Sequence, residues 1–502
     1  MPARSTAARS RRPSIAPASY AFHTAPRAHQ RAVFDRAKDL AYFALLMEQG
    51  TGKTKVDIDC SAYSYEAGLI DAWAIVAPAG VHLNWTRQEL PKHLPPRLTG
   101  AAFLAWDSSR ARTKSFQRDL ASVLAAPFPI VSFNAEALLT DPGLDALRAL
   151  LRGRRCKLTI DESSLIKNVK AQRTTLLLKA GKLAVQRRIL NGTPVTNGPL
   201  NLYSQMLFLD EDILGFSSYY TFAHHYAEWT KKRNWSQGRD YEELVAYKHL
   251  DELVAKIAPV SFRVTKAECL DLPPAIELPP RYYELTPEQR AIYEALRDEF
   301  LVELGGRTIT AALALTRLLR LQQVCCGYLP GAEAGEMYPI PGPNRRIETL
   351  LTQVSETEPR KAIIWCRFRE DVRRVAASLR EEYGINVVVT YDGSTGQDAR
   401  DTAKRQFQAP KSLVRFFVGN PAAGGRGLDL YAAEHVYRYS SSFSLEQRLQ
   451  ADARAHRDGL THPVSYSDLV ALGTVDEHIA ATLAAGKDVA EGIVGALPRW
   501  LK

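Results

Sequence analysis

Apolar residues along this chain gather in short continuous runs, and helix-length mixed segments separate one run from the next. Between 42 and 210 the runs occupy 42–47, 74–77, 130–133, 158–160 and 188–190. Strand-sized runs of this kind suit strands covered on both faces, so the stretch is predicted to form βαβ units around a parallel sheet. From 211 to 343 the pattern changes. Aromatic-rich helical segments at 219–229, 241–257, 287–304 and 311–325 surround a proline-rich connector at 272–281, and no parallel-sheet pattern is evident. The alternation resumes at 361–365, 387–390, 414–418 and 435–439. The predicted order is a tail at 1–25, an α/β lobe at 26–210, a helical insertion and linker at 211–343, and a second α/β lobe at 344–502.

Composition agrees with several globular units. The 502 residues exceed one ordinary core, and a hydrophobic content of 46% with 24% charge is that of soluble domains. No apolar run approaches the roughly 18 to 20 residues that a membrane-spanning helix needs. The six cysteines, Cys60, Cys156, Cys269, Cys325, Cys326 and Cys366, show no paired C-x-x-C spacing, which predicts reduced, mostly buried thiols in place of a zinc site or disulfide framework. A net charge of +10 favours a polyanionic partner, nucleic acid first, although a membrane surface also fits a basic balance. The tail carries Arg4, Arg9, Arg11 and Arg12 with no acid before Asp35, and reads as a solvated basic segment, with an organelle transit peptide as the alternative.

The chemistry begins at Gln49-Gly50-Thr51-Gly52-Lys53-Thr54, directly after the first apolar run. Glycines there let backbone N–H groups turn around a β-phosphate, Lys53 reaches the β and γ oxygens, and the Thr54 hydroxyl ligates Mg²⁺. The strict phosphate-loop pattern has a further glycine where Met47 stands. Downstream, Asp161 and Glu162 close the run Lys157-Leu158-Thr159-Ile160, at a strand end where parallel sheets present their ligands. NTP hydrolysis needs one acid to hold Mg²⁺ and one to orient or deprotonate water, the roles expected of Asp161 and Glu162 respectively.

With these motifs in order, the chain resembles superfamily-two helicases, and within them the Swi/Snf-like DNA translocases, from about 26 to 479. Pro26-Arg27-Ala28-His29-Gln30 looks like the adenine-reading segment. Segments 75–89 and 130–133 resemble motifs Ia and Ib, which line the nucleic-acid path. Asp161-Glu162-Ser163-Ser164 stands where the family has Asp-Glu-Ala-His, Ile166-Lys167-Asn168 and Arg173-Thr174 are of the Swi/Snf kind, and 190–197 is similar to motif III. Gln450-Ala451-Asp452-Ala453-Arg454-Ala455-His456-Arg457-Asp458-Gly459 matches motif VI, and the three-residue spacing of Arg454 and Arg457 predicts one helical face carrying both toward a γ-phosphate. Gly424-Gly425-Arg426-Gly427-Leu428-Asp429-Leu430 resembles motif V. Before it, Asn420-Pro421-Ala422 replaces the usual Ser-Thr-Lys and removes donors expected to touch a phosphate. The segment from Leu272-Pro273-Pro274 to Tyr293 resembles the linker into the second helical protrusion. Trp229, Lys231, Lys232, Arg233 and Trp235 read as a surface loop with partly buried tryptophans, with base stacking as the other reading.

The resemblance implies two RecA-like parallel-sheet lobes with a helical insertion between them, and ATP and Mg²⁺ in the cleft. It assigns Lys53, Asp161, Glu162, Arg454 and Arg457 to catalysis. Arg27, Gln30, Gly50, Thr51, Gly52, Lys53, Thr54, Gly427, Asp429 and Gln450 would bind the nucleotide, and Thr54 and Asp161 the metal. The expected activity is ATP-dependent movement on DNA, double-stranded favoured and single-stranded possible, by a monomeric motor in replication, repair or recombination. An RNA helicase and a catalytically weakened nucleic-acid scaffold are the alternatives. Bacterial or phage-infected cytoplasm is the expected setting, and nuclear or organellar placement the alternative.

Overall fold

The structure, a computed structural model, describes residues 20–483 except 193–197, 235–238, 307–310, 332, 334, 394, 425–427 and 442–443. Two parallel sheets organise it. The first has the order Ala101–Ala105, Phe128–Asn134, Ala72–Ala77, Cys156–Asp161, Gln186–Leu190, Tyr42–Met47, Ser261–Val264. Its central strands are buried along almost their whole length, which is why they read as unbroken apolar runs. Parallel register aligns their carboxyl ends: Asp161 lies opposite Leu190, Leu190 opposite Leu45, and Met47 opposite Val264. Helix Lys53–Glu66 packs against this sheet and is buried on nearly every side, so even its Asp57, Asp59 and Ser61 are interior.

The second sheet runs Ala275–Glu277, Val464–Ala471, His435–Arg438, Ala362–Trp365, Phe416–Gly419, Val388–Tyr391, again parallel, and Arg281–Tyr283 also pairs with Val464–Ala471. Two apolar layers cover it. One includes Leu350, Val375, Phe416 and Tyr437, and the other Trp365, Phe417, Val436 and Tyr466. Helices Pro287–Gly306 and Ala311–Cys325 pack through Tyr293, Leu321 and Val324 onto Leu445, Ala471 and Val475 of this second unit.

The intervening region departs from the helical expectation in two ways. Helix Tyr219–Tyr226 gives way to an antiparallel hairpin, Ala227–Asn234 with Arg239–Tyr247, and only Leu250–Ile257 of the expected 241–257 helix forms. Strand pairing wins because Tyr241, Leu244, Val245 and Tyr247 are aromatic, branched or apolar residues that suit a pleated surface as readily as a helix. Strands Ser261–Val264, Ala275–Glu277 and Arg281–Tyr283 join the two large sheets in parallel, where no parallel pattern was evident. The chain thus crosses between the sheets over 265–274, and the proline-rich segment begins at the end of that crossing and continues along the second sheet. All six cysteines are free, and all but Cys269 are buried. No helix among the described residues is long and apolar enough to cross a membrane.

Candidate functional site

The loop after strand Tyr42–Met47 turns on Gly50 and Gly52, both at φ +89°, a left-handed conformation that glycine adopts freely. Gly52 caps helix Lys53–Glu66, so Lys53 and Thr54 stand on its first turn beside the free backbone N–H groups. Thr51 closes the turn by donating its hydroxyl to the Glu48 carbonyl at 2.7 Å. A second segment braces the loop. Gln30 donates its amide to the Thr51 carbonyl at 3.1 Å and accepts from the Arg27 N–H at 3.0 Å, and the His29 ring meets the same Thr51 carbonyl at 2.8 Å. A Cβ on Gly52 would lie 2.2 Å from the Gln30 amide nitrogen, so the close approach depends on glycine.

Asp161 is buried, and its carboxylate accepts from the Trp85 indole N–H at 2.9 Å and from the Glu162 N–H at 3.0 Å. Burial pushes its pKa above the ordinary carboxylate value, opposed by the charge of Lys53 and the Trp85 hydrogen bond. Glu162 takes a left-handed backbone (φ +54°) and accepts from the Gln49 amide at 3.4 Å. A non-glycine residue held there costs on the order of 1–2 kcal/mol, which the packed turn Ser163–Ile166 must sustain. That turn is fastened from behind: Ser163 donates to Gln205 at 2.5 Å, Asn191 to Ser163 at 3.2 Å, and Ser204 to the Ile166 carbonyl at 2.5 Å.

Beneath the loop, the Lys157 ammonium bonds Asp57 and the Ser61 hydroxyl, each at 2.6 Å, with both charged side chains 0% exposed. Thr159 donates to the other Asp57 oxygen at 2.9 Å, and the Trp73 indole N–H donates to Thr159 at 3.0 Å. Helix and carboxylate strand are thereby pinned together one turn below Lys53. Sequence reasoning missed this pair; the available signal was a lysine inside an apolar strand.

From the second lobe, helix Leu445–Asp452 ends before Arg454 and Arg457, which sit on the following turn and not on the expected helical face. Ala453 caps the helix, and both guanidiniums instead converge on the Leu428 carbonyl, Arg454 at 3.4 Å and Arg457 at 3.0 Å. Arg457 also pairs with Asp429. Burial pushes the Asp429 carboxyl up, but Arg457 and Lys404 outweigh it and hold it below the usual value. The side chain of Arg457 stands against the loop: a Cβ on Gly50 would be 3.7 Å from its Nε. Gln450 donates to Glu446 at 3.3 Å. Gly427 and most of motif III lie outside the described residues.

Further contacts join the lobes. Arg27 pairs with Asp458 at 2.6 Å. Ser164 and Lys167 both reach Glu446, at 2.6 and 2.9 Å. Lys266, from the crossing segment, donates to the His456 carbonyl at 2.7 Å and pairs with Glu48 at 3.6 Å, while the His456 ring meets the Pro273 carbonyl at 2.9 Å. Burial lowers the Lys266 pKa to about 8, with Glu48 opposing and Arg457 and Arg454 adding to the drop. Sequence reasoning did not single out Lys266 or Glu446.

A cavity of about 400 Å³ opens at the carboxyl ends of the second sheet's strands, lined by Trp365, Arg367, Asn420, Ser441 and Gln447 among others. In the hairpin, Trp229 is half-buried and donates to the Ala223 carbonyl at 3.3 Å, and Trp235 lies outside the described residues. Among the described residues no group of three or more His, Cys, Asp or Glu is placed to hold a metal ion. Thr54 and Asp161 match the sparser donor set of Mg²⁺, which keeps water and substrate phosphates as most of its ligands.

Comparison with known families decides where this arrangement belongs, because the SNF2-related domain matches residues 37–328 and the helicase conserved C-terminal domain matches 345–459. The chain belongs to the SNF2-related family. This SNF2-related chain is 28% identical over 86% of its length to the ISWI chromatin-remodeling complex ATPase CHR11 of Arabidopsis thaliana, covering 39% of that protein. It is 26% identical over 89% of its length to the putative ATP-dependent helicase/translocase YwqA of Bacillus subtilis, covering 46% of that protein. It thus spans less than half the length of these curated relatives. A solved Sulfolobus solfataricus SWI2/SNF2 ATPase core in complex with dsDNA matches at 24% identity and TM-score 0.40, with 95% of each chain covered.

Proposed function

We propose that this chain is an ATP-dependent DNA translocase that hydrolyses ATP between its two lobes. The carrying observation is the closeness of Arg457, from the second lobe, to Gly50 of the phosphate loop. Hydrolysis then depends on the lobes meeting, which is what converts a chemical step into movement. In this reading Gly50, Thr51, Gly52 and Lys53 hold the phosphates, Arg27 and Gln30 face the base, and Gly427, Asp429 and Gln450 complete the cleft. Arg454 and Arg457 offset charge as the γ-phosphoryl group leaves, a contribution on the order of 10³ to 10⁵ in rate for related phosphoryl transfers. Glu162 orients the attacking water and takes its proton. Thr54 and Asp161 would hold Mg²⁺, which when bound draws charge from the phosphate oxygens.

DNA would cross the carboxyl ends of both sheets. The net charge of +10 supports a polyanionic track, and Arg367, Ser441 and Gln447 around the second-lobe cavity supply donors where Asn420-Pro421-Ala422 lacks them. Duplex DNA is the favoured track, in line with the name of the Sulfolobus complex. The test is steady-state ATPase with no nucleic acid, duplex DNA, single-stranded DNA and RNA at several salt concentrations. Stimulation greatest with duplex and falling steeply with salt is expected. A rate that DNA does not raise, or that RNA raises more, overturns the reading. Lys53→Ala should abolish hydrolysis, and Glu162→Gln should bind ATP without turnover; full activity in either rejects the site assignment.

A further inference from the structure

Glu446 lies on the first turn of helix Leu445–Asp452, at a position no motif assigned. Its side chain is 14% exposed and reaches across to the first lobe. One carboxylate oxygen accepts from the Ser164 hydroxyl at 2.6 Å, the other from the Lys167 ammonium at 2.9 Å, and Gln450 donates to the first at 3.3 Å. Ser164 is two residues beyond Glu162, on the turn that Ser163, Asn191, Gln205 and Ser204 fasten to the first lobe. The helix carrying Glu446 runs straight into the turn of Arg454 and Arg457. A charge-assisted, half-buried bridge of this kind is stronger than an exposed pair such as Arg27 with Asp458, at 44% and 57% exposure.

We propose that Glu446 is a positioning residue that ties the carboxylate turn of the first lobe to the arginine turn of the second, so that both halves of the ATP site arrive in register. Ser164 stands where the resembled family has histidine, and its hydroxyl, together with the Lys167 ammonium, meets an acid on the opposite lobe. The inference rests on the ATPase reading above. Breaking the bridge leaves the phosphate loop, Lys53 and Asp161 untouched, so nucleotide affinity persists while the arginine turn loses its reference to the carboxylates.

The test measures, in the full chain, DNA-stimulated kcat and the Kd for ATP, with thermal melts to confirm folding. Glu446→Ala should lower kcat about tenfold or more with Kd for ATP changed less than about twofold, the split expected for an interaction realised only in the closed state. Glu446→Gln keeps an acceptor for Ser164 and should lose less, about threefold. Ser164→Ala added to Glu446→Ala should cost nothing further, because residues sharing one interaction are not additive. The exchange Glu446→Lys with Lys167→Glu should recover part of kcat. A kcat for Glu446→Ala or Glu446→Gln within about twofold of wild type, an equal loss in Kd, or full additivity overturns the inference. A wild-type chain without DNA-stimulated hydrolysis overturns instead the reading beneath it.

Discussion

Removing the Asp57 carboxylate strands the Lys157 ammonium where water does not reach, since both side chains are 0% exposed. Breaking a fully buried pair from one side costs about 3–5 kcal/mol. Two acceptors survive in Asp57→Ala, the Ser61 hydroxyl at 2.6 Å and the Asp57 main-chain carbonyl at 3.3 Å, so the loss should fall near the lower end, about 3 kcal/mol. Lys157→Met leaves the Asp57 carboxylate with the Thr159 hydroxyl, and should cost about 4 kcal/mol. Replacing both, Asp57→Leu with Lys157→Met, should recover most of either loss, because apolar pairs of similar volume substitute well for buried ions. Urea unfolding followed by tryptophan fluorescence reads the loss, with the buried Trp73, Trp85 and Trp106 reporting on the first lobe and Trp365 on the second. The pH dependence carries a definite sign. Burial holds Lys157 below its ordinary 10.5, against the pull of Asp57, so in the alkaline range below 10.5 the unfolded chain binds more protons than the folded one. Stability therefore rises with pH there, and the Asp57→Ala defect should shrink as pH climbs. A loss under about 1 kcal/mol in the single variants, or a double variant worse than both, would refute the reasoning.

Gly52→Ala should weaken ATP binding and cost about 1–2 kcal/mol of stability, because its φ is +89° and the new Cβ displaces the Gln30 amide; calorimetric titration and a melt check both halves. In wild type, kcat should fall above pH 8 as Lys266, facing Glu48, Arg454, Arg457 and His456, loses the charge behind its bond to the second lobe. Lys266→Met should start lower and lack that step, and a wild-type profile flat from pH 7 to about 9.5 would count against it. In stability the same group has the opposite sense. Its folded pKa of about 8 lies below 10.5, so its contribution grows with rising pH between those values.

The central strands were legible because burial on both faces leaves unbroken apolar runs. Ala101–Ala105 escaped notice because a five-residue run of alanine, phenylalanine and leucine carries no alternation that separates an edge strand from part of a helix. Ser261–Val264 and Ala275–Glu277 are three or four residues long, and their sheet membership is decided by partners far along the chain. Residue types at short spacing carried the loop, the carboxylates and the arginines. The contacts that join them were hidden for the same reason as the edge strands: Ser164 meets Glu446 across 282 positions, and Lys266 meets His456 across 190. Spacing also misled at Arg454 and Arg457, because three residues fit a helical face or a single turn equally well, and here the helix stops at Asp452.

The crossing between sheets has a mechanical corollary. Only residues 265–274 separate the last strand of the first sheet from the first strand of the second. Ten residues fully extended span about 35 Å at most, so the lobes work on a short leash. His456 grips that leash at both ends, its carbonyl on Lys266 and its ring on the Pro273 carbonyl. One residue between the two arginines thus touches both ends of the tether. If the proposed translocase advances by one base pair, about 3.4 Å along a duplex, that displacement is about a tenth of the greatest length the tether can span.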